Sequence, residues 1–410
     1  MDIVVEGGRI TRVGPNAAGD LRLAEGVRVI DAAGLCVLPA FVDIHVHFRE
    51  PGHEYKEDIA SGLSSAAAGG FASVCAMPNT SPVNDSRAVT ELMVAAASRH
   101  RGTRLHPIGA ITVGLRGQHL TEMAELKEAG VVAVSDDGKC VQSSAVMRRA
   151  FEYAKTFDLP LIQHAEDESL TAGADMHEGS ISAKLGLRGW PRIAEDIIVA
   201  RDILLAGYTG ARYHVAHAST AGTMQLVREA KARGLAVTAE VTPHHLLLTD
   251  EAVIGYDTAC KVNPPLREVD DLEQVRAALL DGTVDAIATD HAPHSPLEKD
   301  CEFSEASPGM IGLELCFGLV RSLFGQNLAR LVEVMSTKPA RIVGLEPPSL
   351  RVGSTAALTL VDPDRAWRAD PDTFRSKSRN TPFLERELMG RVLMTVVEGH
   401  VAFDGLGGEE

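Results

Sequence analysis

Residues 41–47 read FVDIHVH, an apolar run of strand length that ends in two histidines. Further runs of this kind follow, with a helical pattern between successive runs. They are FASVCAMP (71–78), RLHPIGAIT (104–112), VVAVSDDG (131–138), PLIQHAED (160–167), RYHVAHAS (212–219), LAVTAEVTPHH (235–245) and DAIATDHAPH (285–294). Continuous apolar runs are typical of parallel strands buried on both faces. Eight strand–helix units in order predict an α/β fold, a (β/α)8 TIM barrel.

Helix ends support this segmentation. Ser144 begins the helical pattern SAVMRRAFEYAKTF, and Pro160 follows its end. Ser219 and Thr220 begin a second pattern, which Gly234 closes. A hydroxyl residue before a helix and a glycine after it are common capping signals.

The two ends of the chain have a different hydrophobicity pattern from the middle. Short alternating runs stand at DIVVEGGRITRVG (2–14), GVRVIDAAG (26–34), ALTLVDP (357–363) and RVLMTVVEGHVAF (391–403), and Gly7–Gly8 indicates a hairpin. We therefore expect a small β-sandwich domain formed from both termini. The predicted divisions are 1–39 for its first part, 40–345 for the barrel and 346–410 for its second part.

Charge and cysteine content restrict the function classes. The formal net charge is −16, which repels phosphate backbones and argues against a nucleic-acid partner. The 6 cysteines are scattered without a Cys-x-x-Cys pair, as in a reducing compartment. The sequence shows neither a secretory signal nor an apolar stretch of membrane-spanning length. We expect a cytoplasmic protein with no membrane partner.

Metal-capable side chains stand where the predicted strands end, which is the active-site face of such a barrel. They are His45, His47, Asp136, Asp137, His164, His217 and Asp290. His45 and His47 are two residues apart, so a strand would put them on one face. Each residue alone has a structural explanation, whether packing or a surface hydrogen bond. Together, imidazoles and carboxylates at one rim are the ligand set that suits zinc.

A family resemblance emerges from the motifs in order. They are FVDIHVHFREPGHEYKEDI (41–59), MPNTSP (77–82), SDDG (135–138), QHAED (163–167), HVAHAST (214–220), VTPHHLLLT (241–249), KVNPPLR (261–267), ATDHAPHSPLEK (288–299) and SKSRNTPF (376–383). This succession resembles the class I dihydroorotases of the metal-dependent amidohydrolase superfamily. Hydantoinases and allantoinases share that barrel but usually carry a carboxylated lysine after the fourth strand, where this chain has SDDG.

The resemblance implies a role for each metal-capable residue. His45, His47 and Asp290 would hold one zinc, and His164 and His217 a second. Asp137 would bridge them, although spacing alone cannot choose between it and Asp136. Lys139 stays open as an alternative bridge. Asp290 would also be the catalytic proton carrier.

The resemblance also implies substrate contacts. Arg49, Asn79 and His294 would bind the substrate α-carboxylate, and His47 would contact the substrate as well. Asn263 and the backbone of Pro308 and Gly309 would contact the ring. From the residues alone, Arg49 could equally pair with Glu50 at the surface, and Asn79 could be a turn residue.

Other polar residues are expected to play no direct part. His244 and His245 should pack or support neighbouring groups, and His291 should point away from Asp290. His214, three residues before His217, should face outside the barrel lumen. The polar residues 295–309 are a candidate lid, with a plain solvated connection as the alternative.

The implied activity is dihydroorotase, the reversible cyclisation of N-carbamoyl-L-aspartate to (S)-dihydroorotate plus water in de novo pyrimidine (UMP) biosynthesis. One or two Zn²⁺ per chain, a homo-oligomer and aspartate carbamoyltransferase as a candidate partner go with it. Two alternatives remain: a related cyclic amidase such as a hydantoinase or allantoinase, and an inactive barrel that serves as an assembly partner for aspartate carbamoyltransferase.

Overall fold

The computed structural model describes residues 1–19, 21 and 25–406. The strands are β1 Asp2–Glu6, β2 Arg9–Gly14, β3 Cys36–Pro39, β4 Phe41–Val46, β5 Phe71–Ala76, β6 Arg104–Gly109, β7 Ala133–Ser135, β8 Leu161–Gln163, β9 Met176–His177, β10 Gly189–Trp190, β11 Tyr213–Val215, β12 Val237–Val241, β13 Ala286–Ile287, β14 Ala357–Arg368, β15 Glu387–Val397 and β16 His400–Asp404.

The α-helices are α1 Ile59–Ala68, α2 Arg87–Ser98, α3 Met123–Glu128, α4 Ser144–Thr156, α5 Glu168–Thr171, α6 Ser180–Leu185, α7 Ile193–Thr209, α8 Ala221–Ala232, α9 Pro243–Leu247, α10 Val269–Asp281, α11 Pro296–Lys299, α12 Cys316–Val320, α13 Leu328–Val332 and α14 Lys338–Ile342. One turn of π-helix, Glu333–Thr337, joins the last two.

The predicted barrel is confirmed. An 8-stranded sheet has the order β13-β12-β11-β8-β7-β6-β5-β4, and its paired strands are parallel. The first and last strands meet just beyond their ends, where the N–H of His47 donates to the carbonyl of His291 at 2.9 Å. All eight sequence runs contribute their strands in chain order, so the strand ends come together at one rim.

Apolar side chains fill both sides of the barrel wall. Inside it, Val42, Ile44 and Ile162 belong to one buried cluster. Outside it, Phe41 packs against Phe71 and Phe317, with ring centroids 5.7 and 5.8 Å apart. Burial on both faces explains why β4 is mostly apolar before the histidines; the exception, Asp43, is fully buried and accepts the N–H of Thr289 at 3.2 Å.

The predicted helix ends are also observed. α4 spans Ser144–Thr156, and the hydroxyl of Ser143 accepts the N–H of Val146 at 3.4 Å. α8 begins after Thr220, whose hydroxyl accepts the N–H of Thr223 at 3.0 Å. Gly234 follows its end with a φ of 74°, the left-handed conformation that glycine adopts without strain.

Both chain ends contribute to antiparallel sheets, as expected. β1 and β2 form a hairpin, and β3 joins a second sheet in the order β16-β15-β14-β3. The expectation of a strand within residues 26–34 is wrong, because these described residues form no ladder with any described strand. Ile30 and Ala32 pack against the small-domain core, while Val27 and Val29 are exposed. Alternating hydrophobicity without a partner strand does not make a sheet.

The division at residues 39/40 and 345/346 remains our proposal. β3 ends at Pro39, and β4, the first barrel strand, begins at Phe41. The last barrel helix, α14, ends at Ile342, ahead of β14 at Ala357. Residues 20, 22–24 and 407–410 of the proposed small domain lie outside the described residues. Among the residues described, no helix is both long and apolar enough to cross a membrane.

Replacing Phe41 by Ala should destabilise the barrel strongly, because its ring is fully buried between two other rings. We expect a loss of about 3–5 kcal/mol in the free energy of unfolding. Tyr208→Ala is the matched control, since that ring is 73% exposed. It should cost less than about 1 kcal/mol, chiefly its contact with Arg148. Denaturant unfolding followed by circular dichroism measures both, and equal losses would contradict the packing described here.

Candidate active site

The metal-capable residues converge at the carboxyl ends of the strands. Each is buried and lies at the end of its strand or within a few residues after it. They are His45 on β4 and His47 after it, Asp137 after β7, His164 after β8, His217 after β11 and Asp290 after β13. The barrel therefore brings together every residue that the sequence proposed as a ligand.

Asp137 lies at the centre of this cluster. Its Oδ1 is 3.3 Å from Nε2 of His45 and 3.5 Å from Nε2 of His217. Its Oδ2 is 3.5 Å from Nε2 of His47. His164 is the outermost member, with Nδ1 3.9 Å from Asp137 Oδ1 and 2.9 Å from His217 Nε2. Asp137 thus lies between the two halves of the histidine set.

Asp136 is held elsewhere. Its Oδ1 accepts the N–H of Thr112 at 2.9 Å, and its Oδ2 accepts the hydroxyl of the same residue. Lys139 is exposed, and Gly138 before it has a φ of 75°. The chain has already left the strand there, so Lys139 does not join the cluster.

The donor atoms fit a divalent cation. Two sets have ligand atoms within 4.8 Å of one another, namely His45, His47 and Asp290, and His45, Asp137 and His217. Within the part of the chain described, His45 Nε2 and Asp137 Oδ1 have no hydrogen-bond partner. Unpartnered buried polar atoms are costly, so their convergence on shared space is the feature that a bound ion would explain.

Three of the imidazoles are oriented by an oxygen on the far side. His45 donates Nδ1–H to Glu240 at 2.6 Å, and His47 donates Nδ1–H to the Asn79 carbonyl oxygen at 2.9 Å. His164 donates Nε2–H to Glu166 at 3.0 Å. In a neutral imidazole the other nitrogen then carries the lone pair and faces the cluster. Such outer oxygen partners are typical of metal-binding histidines.

Sequence reasoning missed Glu240 and Glu166. Glu240 is fully buried inside the apolar seventh run, which was the available signal, because charged residues are rarely buried without partners. It also accepts Nε2–H of His214 at 3.1 Å. His214 is therefore inside the barrel, and the expectation that it faces outside is wrong.

His245 and His291, which were not expected to be ligands, have partners outside the cluster. His245 contacts the Thr242 hydroxyl at 2.8 Å and the Pro264 carbonyl at 3.1 Å. His291 points away from the cluster to Glu57 at 3.3 Å.

The electrostatics of the cluster favour positive charge. Burial lowers the pKa of His45, but the carboxylates of Asp137 and Glu240 outweigh it and raise that pKa well above its ordinary value. Burial raises the pKa of Asp290, yet the adjacent His47 ring and the other nearby imidazoles hold that pKa below its usual range. Asp290 Oδ1 is 3.0 Å from His47 Nε2. Its carboxyl group is thus ionised.

Two residues of the cluster adopt strained backbone conformations. His217 has a φ of 29° and Asp290 a φ of 48°, values that residues other than glycine rarely adopt. Strain of this kind persists where surrounding contacts impose it, and it is concentrated at functional sites. Both turns swing a side chain out of strand geometry and into the cluster.

The predicted substrate contacts lie beside this cluster. Arg49 donates Nε–H to the Pro293 carbonyl at 3.2 Å, and its Nη2 is 3.3 Å from His294 Nε2. His294 Nε2 is also 2.9 Å from the Pro308 carbonyl. Glu50 instead accepts the N–H of Ile59 at 2.8 Å, so the surface-pair alternative for Arg49 is not observed.

The other predicted contacts differ in their surroundings. The side-chain carbonyl oxygen of Asn79 accepts the Nδ1–H of His47. Asn263 has a buried Oδ1 with no partner among the described residues. Gly309 has a φ of 133°, and a Cβ there would come within 2.7 Å of the Ala292 side chain. Only glycine allows this close approach.

The candidate lid, residues 295–309, is tied down from inside. Lys299 donates to the carbonyls of Thr258 at 2.9 Å and Ser307 at 2.7 Å. Lys261 donates to the carbonyls of Phe303 at 2.7 Å and Ser304 at 2.8 Å. The alternative of a plain solvated connection therefore does not describe this segment. Its movement on ligand binding remains a prediction.

Comparison with known proteins agrees with this geometry. A family model described as dihydro-orotase-like matches residues 34–223. A dihydroorotase of Geobacter metallireducens is 50% identical over 406 residues, 98% of this chain and 95% of that protein. A dihydroorotase of Anaeromyxobacter dehalogenans is 50% identical over 408 residues, 98% and 93% of the two chains.

Two solved hydantoinase structures have the same architecture. The L-hydantoinase of Arthrobacter aurescens superposes with a TM-score of 0.88 at 25% identity, covering 99% of this chain and 92% of the other. The D-hydantoinase of a Thermus species gives 0.82 at 24% identity, with 98% and 92% coverage. The latter likeness shows the fold alone.

Replacing Glu240 by Gln should weaken divalent-ion binding, because His45 loses the carboxylate that orients and polarises its ring. We expect a fall in zinc affinity of about 10- to 100-fold. Competition with a chelator measures it on the purified protein. Asp285→Asn is the control, since that carboxylate pairs with Lys231 and Lys338 at the opposite end of the barrel. Unchanged zinc affinity in the Glu240 variant would contradict the assignment.

Proposed function

Because this chain belongs to the dihydroorotase family, we propose that it catalyses the reversible cyclisation of N-carbamoyl-L-aspartate to (S)-dihydroorotate plus water in de novo pyrimidine biosynthesis. The observation that carries the proposal is the Arg49–His294 pair beside the buried cluster of histidines and carboxylates. The guanidinium of Arg49 would bind a carboxylate of the substrate, and the neighbouring cluster would act on the amide that reacts.

The cofactor we propose is zinc, one or two ions per chain. His45, His47 and Asp290 would hold one ion, His164 and His217 a second, and Asp137 would contact both. Imidazole nitrogen and carboxylate oxygen are the donor types that zinc prefers. Bound there, the metal would supply Lewis-acid polarisation of the amide carbonyl and a lowered pKa for the attacking water.

Asp290 carries the proton in this proposal. Its carboxylate lies 3.0 Å from His47 Nε2 at the edge of the cluster, and there it would accept a proton from the water that attacks the ring amide carbon. When the carbon–nitrogen bond breaks, Asp290 returns that proton to the leaving nitrogen. Ring closure follows the reverse path, with Asp290 donating the proton that leaves with water.

Arg49 and His294 orient the substrate. The guanidinium presents parallel N–H donors to a carboxylate, a charge-assisted geometry that fixes both position and angle. Burial and the adjacent Arg49 lower the pKa of His294 to about 2, so its imidazole is neutral and adds no second charge. Asn79 would complete this carboxylate site, and Asn263 with the Pro308–Gly309 backbone would contact the ring.

The two alternatives fit less well. A hydantoin is neutral and gains little from a buried arginine, and the hydantoinase structures are only 25% identical or less, against 50% for the dihydroorotases. An inactive assembly partner would be expected to lose ligands, whereas all six proposed ligands are present and close together. Homo-oligomer formation, contact with aspartate carbamoyltransferase and a cytoplasmic location remain predictions.

Purified protein should interconvert dihydroorotate and carbamoyl aspartate and turn over hydantoin or allantoin far more slowly. Arg49→Met should chiefly weaken substrate binding, since it removes a charge-assisted contact of about 1.5–3 kcal/mol. The expected rise in KM for dihydroorotate is roughly 10- to 150-fold. Steady-state kinetics by ultraviolet absorbance measures this.

Arg148→Met is the control for that experiment, because Arg148 lies on the exposed face of α4 and pairs with Glu152. It should leave KM unchanged. Preferential turnover of allantoin by the unaltered protein would overturn the proposed activity, and an unaltered KM in the Arg49 variant would remove Arg49 from the substrate site.

Activity should not depend on bicarbonate. A carboxylated lysine needs carbon dioxide to form, whereas Asp137 already supplies a carboxylate at the centre of the cluster. The protein is stripped of metal and zinc is restored in buffer freed of carbon dioxide, with and without added bicarbonate. Equal recovery of activity is expected. Recovery only with bicarbonate would assign the bridge to Lys139 and contradict the role of Asp137.

A further inference from the structure

Residues 374–383, which we call the rim segment, belong to the C-terminal part of the chain but pack on the barrel rim. They lie between a short 3₁₀ helix, Pro371–Thr373, and β15. Ser376, Ser378 and Asn380 are all buried. The segment contains the SKSRNTPF motif, to which the proposed chemistry gives no role.

One end of the rim segment is fastened to the loop after β4. The hydroxyl of Ser376 donates to the buried carboxylate of Glu57, and the N–H of Lys377 donates to the same carboxylate at 3.2 Å. The hydroxyl of Ser378 donates to the Lys56 carbonyl at 2.9 Å. This loop also carries Arg49, so the segment is anchored to one side of the proposed substrate site.

Asn380 fastens the other end to the loop after β13. Its amide nitrogen donates to the carbonyls of Ala292 at 3.0 Å and Gly309 at 3.1 Å. Its amide oxygen accepts the backbone N–H of His294 at 3.1 Å. Its own carbonyl accepts the N–H of Ile311 at 3.0 Å. One side chain thus joins the two stretches of backbone that face each other across this loop.

These stretches carry the proposed substrate contacts. The ring of His294 reaches Arg49 and the Pro308 carbonyl, so its position depends on where its backbone is held. The close approach of Gly309 to Ala292 depends on the same bridge. An amide is suited to this place because it combines two N–H donors with one acceptor. Aspartate would set a negative oxygen against two carbonyls.

We propose that Asn380 is a positioning residue, which sets His294 and the Pro308–Gly309 backbone for substrate binding without touching the substrate itself. This inference rests on the proposed function. The metal-capable residues make no contact with Asn380 among the described hydrogen bonds, so its influence should fall on binding rather than on the proton transfer at Asp290.

Asn380→Ala should raise KM for dihydroorotate by about 10-fold, as expected when several buried hydrogen bonds to the loop are lost, while kcat changes less than about 3-fold. Asn380→Asp should not restore KM, whereas Asn380→Ser, which keeps one hydroxyl, should restore part of it. If the alanine variant does not fold, the serine and aspartate variants carry the comparison.

Asn327→Ala is the matched control. Asn327 caps α13 by accepting the N–H of Arg330 at 3.1 Å, remote in sequence from the segments above. Its removal should lower Tm without moving KM. An equal KM shift in this control, or a fall in kcat at constant KM in the Asn380 variants, would show a merely structural role and overturn the proposal.

The route through His294 is tested by a double-mutant cycle. In a His294→Ala background the KM effect of Asn380→Ala should shrink, because the residue through which it acts is gone. Independent, multiplicative effects on KM would contradict positioning through His294.

Hydrogen exchange separates this inference from the proposed function. Without any substrate, Asn380→Ala should speed exchange of the His294 amide, whose acceptor is the Asn380 side chain, relative to the unaltered protein, and Asn327→Ala should not. If the unaltered protein does not turn over dihydroorotate, the proposed function fails while this comparison still tests the bridge. Unchanged exchange at the His294 amide would overturn the positioning role.

Discussion

The burial of the Asp137 carboxylate among imidazoles is the interaction on which the rest of this site depends. A charged group at 3% exposure is stable only where partners surround it, and its partners come from the ends of three other strands, β4, β8 and β11. Only a closed barrel brings those ends to one point. The hydrogen bond between His47 and His291, which joins the first and last strands, therefore supports the chemistry as directly as it supports the fold.

Much of this could be predicted from the sequence because the signals are local. Each barrel strand is a mostly apolar run, and the proposed ligands stand at or just after the ends of these runs. The sequence therefore predicts that they lie together at one rim of the barrel. The choice between Asp136 and Asp137 could not be made from spacing. β7 ends at Ser135, and beyond that point the direction of a side chain depends on which neighbour forms a hydrogen bond with it. Here the N–H of Thr112 donates to the carboxylate of Asp136.

The errors have physical causes of the same kind. Alternation counted back from His217 predicts an outward-facing His214, but β11 ends at Val215 and His217 has a positive φ, so the alternation does not extend that far. Residues 26–34 alternate like a strand but have no partner. Glu240 and Asn380 act through residues distant in the chain, His45 and His294, and no local sequence pattern identifies those partners.

Side chains at this rim are held in place in two different ways. The histidines and carboxylates of the cluster lie on or just past strands, where the barrel wall and buried acceptors such as Glu240 hold them. Arg49 and His294 lie on loops, which have no ladder to hold them and depend on side-chain bridges instead. A barrel built this way can keep its reactive cluster while its loops and their bridges change. A hydantoinase shares this architecture with a TM-score of 0.88 at 25% identity. In the proposed function, the contacts that select the substrate therefore depend on loops and on the segments that fasten them.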